Sequence, residues 1–124
     1  MEIAEVEIQL RHYWFRQRYL PWMLSVLPLN GAKVLEIGAG TGASTVALAE
    51  RGADIMSIDL NGASLELAKF RAELHGVGNS VKIRTANATE IGHLLAGHKF
   101  DLIVYFAALE HMTYQERIKT LRSA

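Results

Sequence analysis

Lys33-Val34-Leu35-Glu36-Ile37-Gly38-Ala39-Gly40-Thr41-Gly42-Ala43 is the stretch on which the reading of the whole chain turns. A short, apolar, β-branched run leads into three glycines at alternate positions, and a helical pattern follows. Glycines so spaced remove every Cβ where a backbone must turn sharply between strand and helix and meet a ligand closely. Around this loop, short strands alternate with helical patterns. Lys33–Ile37 reads as a strand and Ala43–Arg51 as a helix closed by Gly52. Asp54–Asp59 is the second strand. Asn61 then caps a helix that reaches about His75 and stops at Gly76 and the Gly78-Asn79 turn. Ser80–Thr85 is a third strand, Glu90–Ala96 a short helix ending at Gly97, and Phe100–Phe106 a fourth strand. Thr113 and Glu116 form a capping box that opens a last helix. Strands such as Val34-Leu35-Glu36-Ile37 and Leu102-Ile103-Val104-Tyr105 are apolar on both faces, the mark of a parallel sheet covered on each side. With right-handed crossovers, the expected fold is α/β: a doubly wound, mostly parallel sheet.

Upstream, apolar positions at helical spacing (Ile3, Val6, Ile8, Leu10, Trp14, Phe15, Tyr19) predict one or two helices over residues 2–27, with Pro21 as a break. Residues 1–29 thus form an N-terminal helical arm within a single domain spanning 1–124. The 13 Lys and Arg balance the 13 Asp and Glu, which argues against a general nucleic-acid or anionic-membrane binder. Hydrophobic residues make up 50% of the chain, enough for a core. The absence of cysteine excludes disulfides and thiolate metal sites and fits a reducing compartment. The acidic start shows no secretory signal. The most apolar early stretch, broken by Pro21 and Pro28, falls short of the roughly 20 residues of a membrane span. A cytoplasmic location is the resulting expectation.

Two ligand classes compete for the glycine loop. Gly38-x-Gly40-x-x-Ala43, with Asp59 about 20 residues on as a ribose acceptor, also satisfies a dinucleotide fingerprint. Glu36 argues against it: a carboxylate two residues before the first glycine would repel the phosphates of a dinucleotide, whereas it favours the ammonium of a methionine tail.

Val34 to Gly42 resembles the first motif of the class I S-adenosylmethionine-dependent methyltransferases, an acidic residue followed by alternate glycines. The resemblance implies that Glu36, Gly38, Ala39, Gly40 and Gly42 hold S-adenosylmethionine. It makes Asp59 the acidic residue that accepts from both ribose hydroxyls, and Leu60 a wall of the adenine pocket. Asn87-Ala88 stands where the family usually has Asp-Ala, so the Asn87 amide oxygen would accept from the adenine amino group without charge. Phe100–Phe106 followed by Ala107-Ala108-Leu109-Glu110-His111 is similar to the fourth motif of small-molecule members, and puts Phe106 at the cofactor. The proline-rich run of base-methylating members is missing there, so a small-molecule acceptor is expected and nucleic acid is not. Arg11-His12-Tyr13-Trp14-Phe15-Arg16-Gln17-Arg18 looks like the arm that several members fold over the cofactor, with Trp14 shielding the sulfonium and Arg16 or Arg18 pairing the methionine carboxylate. A basic-aromatic nucleic-acid patch and a helix packing its aromatics on the sheet remain as other readings of that arm.

Methyl transfer from a sulfonium is an in-line displacement, and alignment is the enzyme's main contribution. His111 is the candidate base should the nucleophile arrive protonated; an orienting role with Glu110 is the alternative. No histidine has partners at metal-ligand spacing, so no metal is expected. The resemblance further implies strand order 3-2-1-4 and a chain that stops before strands five to seven of the family sheet. The expectation is therefore the cofactor-binding part of a longer protein, with 100–106 an unguarded edge able to self-associate. A catalytically silent S-adenosylmethionine-binding or assembly domain is the alternative from another class, and a nicotinamide oxidoreductase the third.

Overall fold

The computed structural model describes residues 10, 13, 15–105 and 112–123. Four strands, β1 (Lys33–Ile37), β2 (Asp54–Asp59), β3 (Val81–Thr85) and β4 (Leu102–Tyr105), make one parallel sheet in the order β3-β2-β1-β4. Register runs from Val34 opposite Ile55 and Leu102 to Glu36 opposite Ser57 and Val104. The first two strands match their sequence reading residue for residue. The third begins one residue later, because Gly78–Ser80 closes a 3-10 turn. The fourth is shorter than expected, Leu102–Tyr105 rather than Phe100–Phe106, and Phe106 lies outside the described residues.

Apolar side chains are buried on both faces of the sheet, as the strand composition required, while Lys82 and Arg84 of the edge strand β3 are exposed. On one face, Val34, Ile55, Val81 and Val104 pack with Leu20 and Met23 of α1 (Leu20–Val26) and with Val46 to Ala49 of α2 (Ala43–Glu50). On that same face Ala72 of α3 (Gly62–Leu74) closes the layer. On the other face, Leu35, Ile37 and Ile58 meet Ala88, Ile91 and Leu95, carried by the 3-10 turn Ala88–Glu90 and by α4 (Ile91–Leu94). A last helix, α5 (Tyr114–Ser123), follows β4.

Local chemistry sets these boundaries. The Asn61 side chain accepts from Ser64 N and caps α3. The Thr113 hydroxyl accepts from Glu116 N while the Glu116 carboxylate accepts from Thr113 N, completing the expected capping box. The expected break at Pro21 coincides with a change of helix type: a π-helical turn at Phe15–Tyr19 gives way to α1, and Pro21 stands in the first turn of α1. Among the described residues no helix is long and apolar enough to cross a membrane.

Candidate functional site

A cavity of about 420 Å³ opens at the C-terminal ends of β1 and β2, the end of a doubly wound sheet at which ligands collect. Its floor is Ile37, Gly38 and Gly40 from the first crossover and Ile58, Asp59 and Leu60 from the second. The far wall is Ala86 to Thr89 after β3, and Met112 and Glu116 close the side at the start of α5. Six of the residues proposed from sequence therefore meet in one place: Gly38, Gly40, Asp59, Leu60, Asn87 and Ala88.

Gly40 has φ +56°, and among the described residues a Cβ added to it would meet nothing within 4 Å. The backbone there is left-handed and faces open space, as a ligand cradle requires. Gly42 differs. At φ +95° its Cβ would fall 2.6 Å from Cα and Cβ of Ala68, so this glycine lets α3 approach the loop and does not line the cavity. Ala39 is buried in the loop and is likewise absent from the lining.

Asp59 ends β2 with its carboxylate fixed from two sides. Oδ2 accepts from Gly40 N at 3.0 Å and Oδ1 from Asn61 N at 2.9 Å. Gly38 N donates to Ile58 O at 2.8 Å, tying the loop to the same strand. Each Asp59 oxygen keeps a lone pair for a further donor, so the geometry suits two vicinal hydroxyls.

The structure places Glu36 away from the cavity. Its side chain is wholly buried beneath the loop, 0% exposed, and takes hydroxyl hydrogens from Ser44, Thr45 and Ser57, the last at 2.9 Å. Ser57 is its register partner on β2, and Ser44 and Thr45 open α2. Burial pushes this carboxyl above its ordinary range, against the pull of the three hydroxyls, and the nearby Asp59 charge adds to the rise. These contacts form a buried knot joining β1, β2 and α2. The sequence signal for it was hydroxyl residues at positions where a covered strand and helix otherwise carry apolar ones.

Asn87 has partners within its own turn. Its Oδ1 accepts from Thr89 N and Thr89 Oγ1, both at 2.9 Å, and caps the 3-10 turn. Behind the cavity wall, Thr120 Oγ1 donates to Ala88 O at 2.7 Å and lies 2.9 Å from the Tyr105 hydroxyl, which fastens α5 to the turn carrying Ala88. Sequence reading found the capping role of Glu116 but not its place in the wall. The signal available was its place in the first turn of the helix that follows a strand whose C-terminal end faces the site.

Arg16 is exposed on the π-helical turn and does not line the cavity. Trp14, Phe106 and His111 lie outside the described residues. Among the described residues no group of three His, Asp or Glu is placed to hold a metal.

Comparison with known proteins agrees with this geometry. Residues 34–124 match the family described as methyltransferase domain. The chain is 34% identical to a ubiquinone biosynthesis O-methyltransferase of Acinetobacter baylyi, over 90% of this chain and 51% of that protein. It thus spans about half the length of the curated relatives it matches. Magnesium protoporphyrin IX methyltransferase from Synechocystis PCC 6803, solved with bound SAH, superimposes with a TM-score of 0.76 at 20% identity, covering 99% of this chain and 54% of that one. The N-terminal domain of EvdMO1, also solved with SAH bound, gives a TM-score of 0.74 at 27% identity, covering 88% of this chain and 44% of that one.

Proposed function

This chain belongs to the methyltransferase domain family, and from that premise we propose that its cavity binds S-adenosylmethionine and that it forms the cofactor-binding part of a methyltransferase acting on a small-molecule acceptor. The observation that carries the reading is the pairing of Gly40 with Asp59. A left-handed glycine faces open space, and its own N–H fixes the carboxylate that ends the next strand.

The residues present fit the cofactor. Asp59 would accept from the two ribose hydroxyls through the lone pairs its backbone partners leave over, and both hydrogen bonds would be charge-assisted. Leu60, 70% exposed at the cavity rim, and the buried Ala88 offer apolar surface to the base. The bare backbone at Gly38 and Gly40 lets the ligand approach the loop without a Cβ in the way. When bound, the cofactor supplies a methyl group on a sulfonium, whose leaving group is a neutral thioether. The protein's part is to fix the position from which that methyl can be attacked in line, and good alignment is worth roughly 7–11 kcal/mol. His111 is proposed as the base for an acceptor that arrives protonated. The 34% identical O-methyltransferase favours an oxygen nucleophile on the acceptor.

Calorimetric titration with S-adenosylmethionine, its demethylated product S-adenosylhomocysteine and NAD tests the reading. The first two are expected to bind and NAD is not. In Gly40→Val a branched side chain enters the cradle, so binding is lost while the circular dichroism spectrum is kept. Undiminished affinity in that variant, or preferential binding of NAD, sinks the assignment.

A further inference from the structure

We propose that Glu116, and not Asn87, accepts the hydrogen bond from the exocyclic amino group of the adenine. The inference rests on the reading of the cavity as an adenosine site and names the group that recognises its base.

An amino group is a donor and needs an acceptor. The Asn87 side chain has one acceptor atom, and that atom is taken. Thr89 N is a donor only, so the atom 2.9 Å from it must be the amide oxygen of Asn87 and not its nitrogen. Thr89 Oγ1 lies 2.9 Å from the same oxygen and fills its second lone pair. What Asn87 has left to offer is an NH2 group, the wrong polarity for an adenine amino group.

Glu116 lines the same cavity as Ala88 and Thr89. Its carboxylate is aimed by the capping box, with Oε2 accepting from Thr113 N at 2.8 Å. Among the described residues, Oε1 and one lone pair of Oε2 remain. The position of α5 is itself fixed to the base side of the cavity, because the fully buried Thr120 bonds Ala88 O from the helix's other end. A carboxylate oxygen is also a stronger acceptor than the Thr89 hydroxyl, whose hydrogen is already directed at Asn87.

The test is titration of the full chain with S-adenosylhomocysteine and with its 6-oxo counterpart, S-inosylhomocysteine, in which a carbonyl replaces the amino group. The wild type is expected to prefer the amino compound by about tenfold or more, as sites that pair a polar group with its complement do. Glu116→Gln preserves the capping box, since a glutamine oxygen also accepts from Thr113 N. It then presents NH2 where the carboxylate stood, so the preference is expected to vanish or reverse toward the 6-oxo compound. A merely structural role for Glu116 would weaken both ligands alike. Asn87→Ala should keep the preference. An unchanged preference in Glu116→Gln, or its loss in Asn87→Ala or Thr89→Val, overturns the assignment while leaving the cofactor reading intact. Absence of S-adenosylhomocysteine binding by the wild type overturns both.

Discussion

Two carboxylates stand near the ends of neighbouring strands, Glu36 on β1 and Asp59 on β2, and the fold uses them in opposite ways. Glu36 is sealed under the glycine loop with three hydroxyl donors and is not among the residues lining the cavity. Asp59 is held by two backbone N–H groups and opens onto the cavity with acceptor capacity to spare. One holds the loop's shape from below and the other presents a ligand-ready edge above it. An acidic residue beside a glycine loop is therefore not a ligand by position alone. The polar partners it already has decide how much remains for anything else.

The sharpest way to break this contrast is Glu36→Ala. Ser44, Thr45 and Ser57 would lose their common acceptor, Thr45 and Ser57 in a place water does not reach. At about 1–3 kcal/mol for each buried donor left unpaired, and with partial re-pairing among the three, a loss of about 3 kcal/mol or more is expected. The urea midpoint should fall accordingly, with or without ligand. A variant as stable as wild type would show that the knot contributes nothing to the fold.

The glycines divide along the same line. Gly42→Ala drives a methyl group into the Ala68 backbone at an already left-handed residue and should cost about 2–3 kcal/mol in thermal unfolding. Gly40→Ala meets open space and bears only the conformational penalty, roughly 1–2 kcal/mol. Equal losses at the two positions would mean that the loop has no closed and open side.

Most of the fold was legible because its signals were local. Glycines and capping residues set the ends of β1, β2 and α3, and the apolar run of each strand showed that both faces were covered. At the site, Gly40 and Asp59 were legible because each does a job that few residue types can do. The hydroxyl partners of Glu36 and Asn87 were not. Both residues have the chemistry to meet a ligand, and only the hydroxyls of Ser44, Thr45 and Ser57 for one, and Thr89 for the other, reveal that they are engaged. Those partners come together through register and turn geometry, which spacing along the chain does not display.

Asp59→Ala probes the open side. Two charge-assisted hydrogen bonds to the ribose hydroxyls would be lost, and at about 1.5–3 kcal/mol for a hydrogen bond to a charged group the lower end of their sum is expected. Affinity for S-adenosylhomocysteine should fall at least tenfold. An analogue lacking both ribose hydroxyls should bind wild type and variant equally. A matching loss with that analogue would mean that Asp59 acts only by holding Gly40 and Asn61, which would erase its contrast with Glu36.

The smallest effect is one of pH, and it isolates the closed side. Burial raises the Glu36 carboxyl above its ordinary 4.5, so the folded state holds this proton more tightly than the unfolded chain does. The stabilising contribution of the protonated form is then complete below that ordinary value and is lost as pH rises through the raised one. Within that window the native protein carries more protons than the unfolded chain, and stability declines by at most about 1.4 kcal/mol per pH unit from this group. Glu36→Gln removes the titration while keeping an acceptor for the hydroxyls. Denaturant unfolding of wild type and variant over a series of pH values should therefore give a difference curve that turns against the wild type as pH climbs from about 4.5. A flat difference would show that the three hydroxyls and the strand ends solvate the carboxylate as well as water does. The buried and the open carboxylate would then differ in access but not in electrostatic cost.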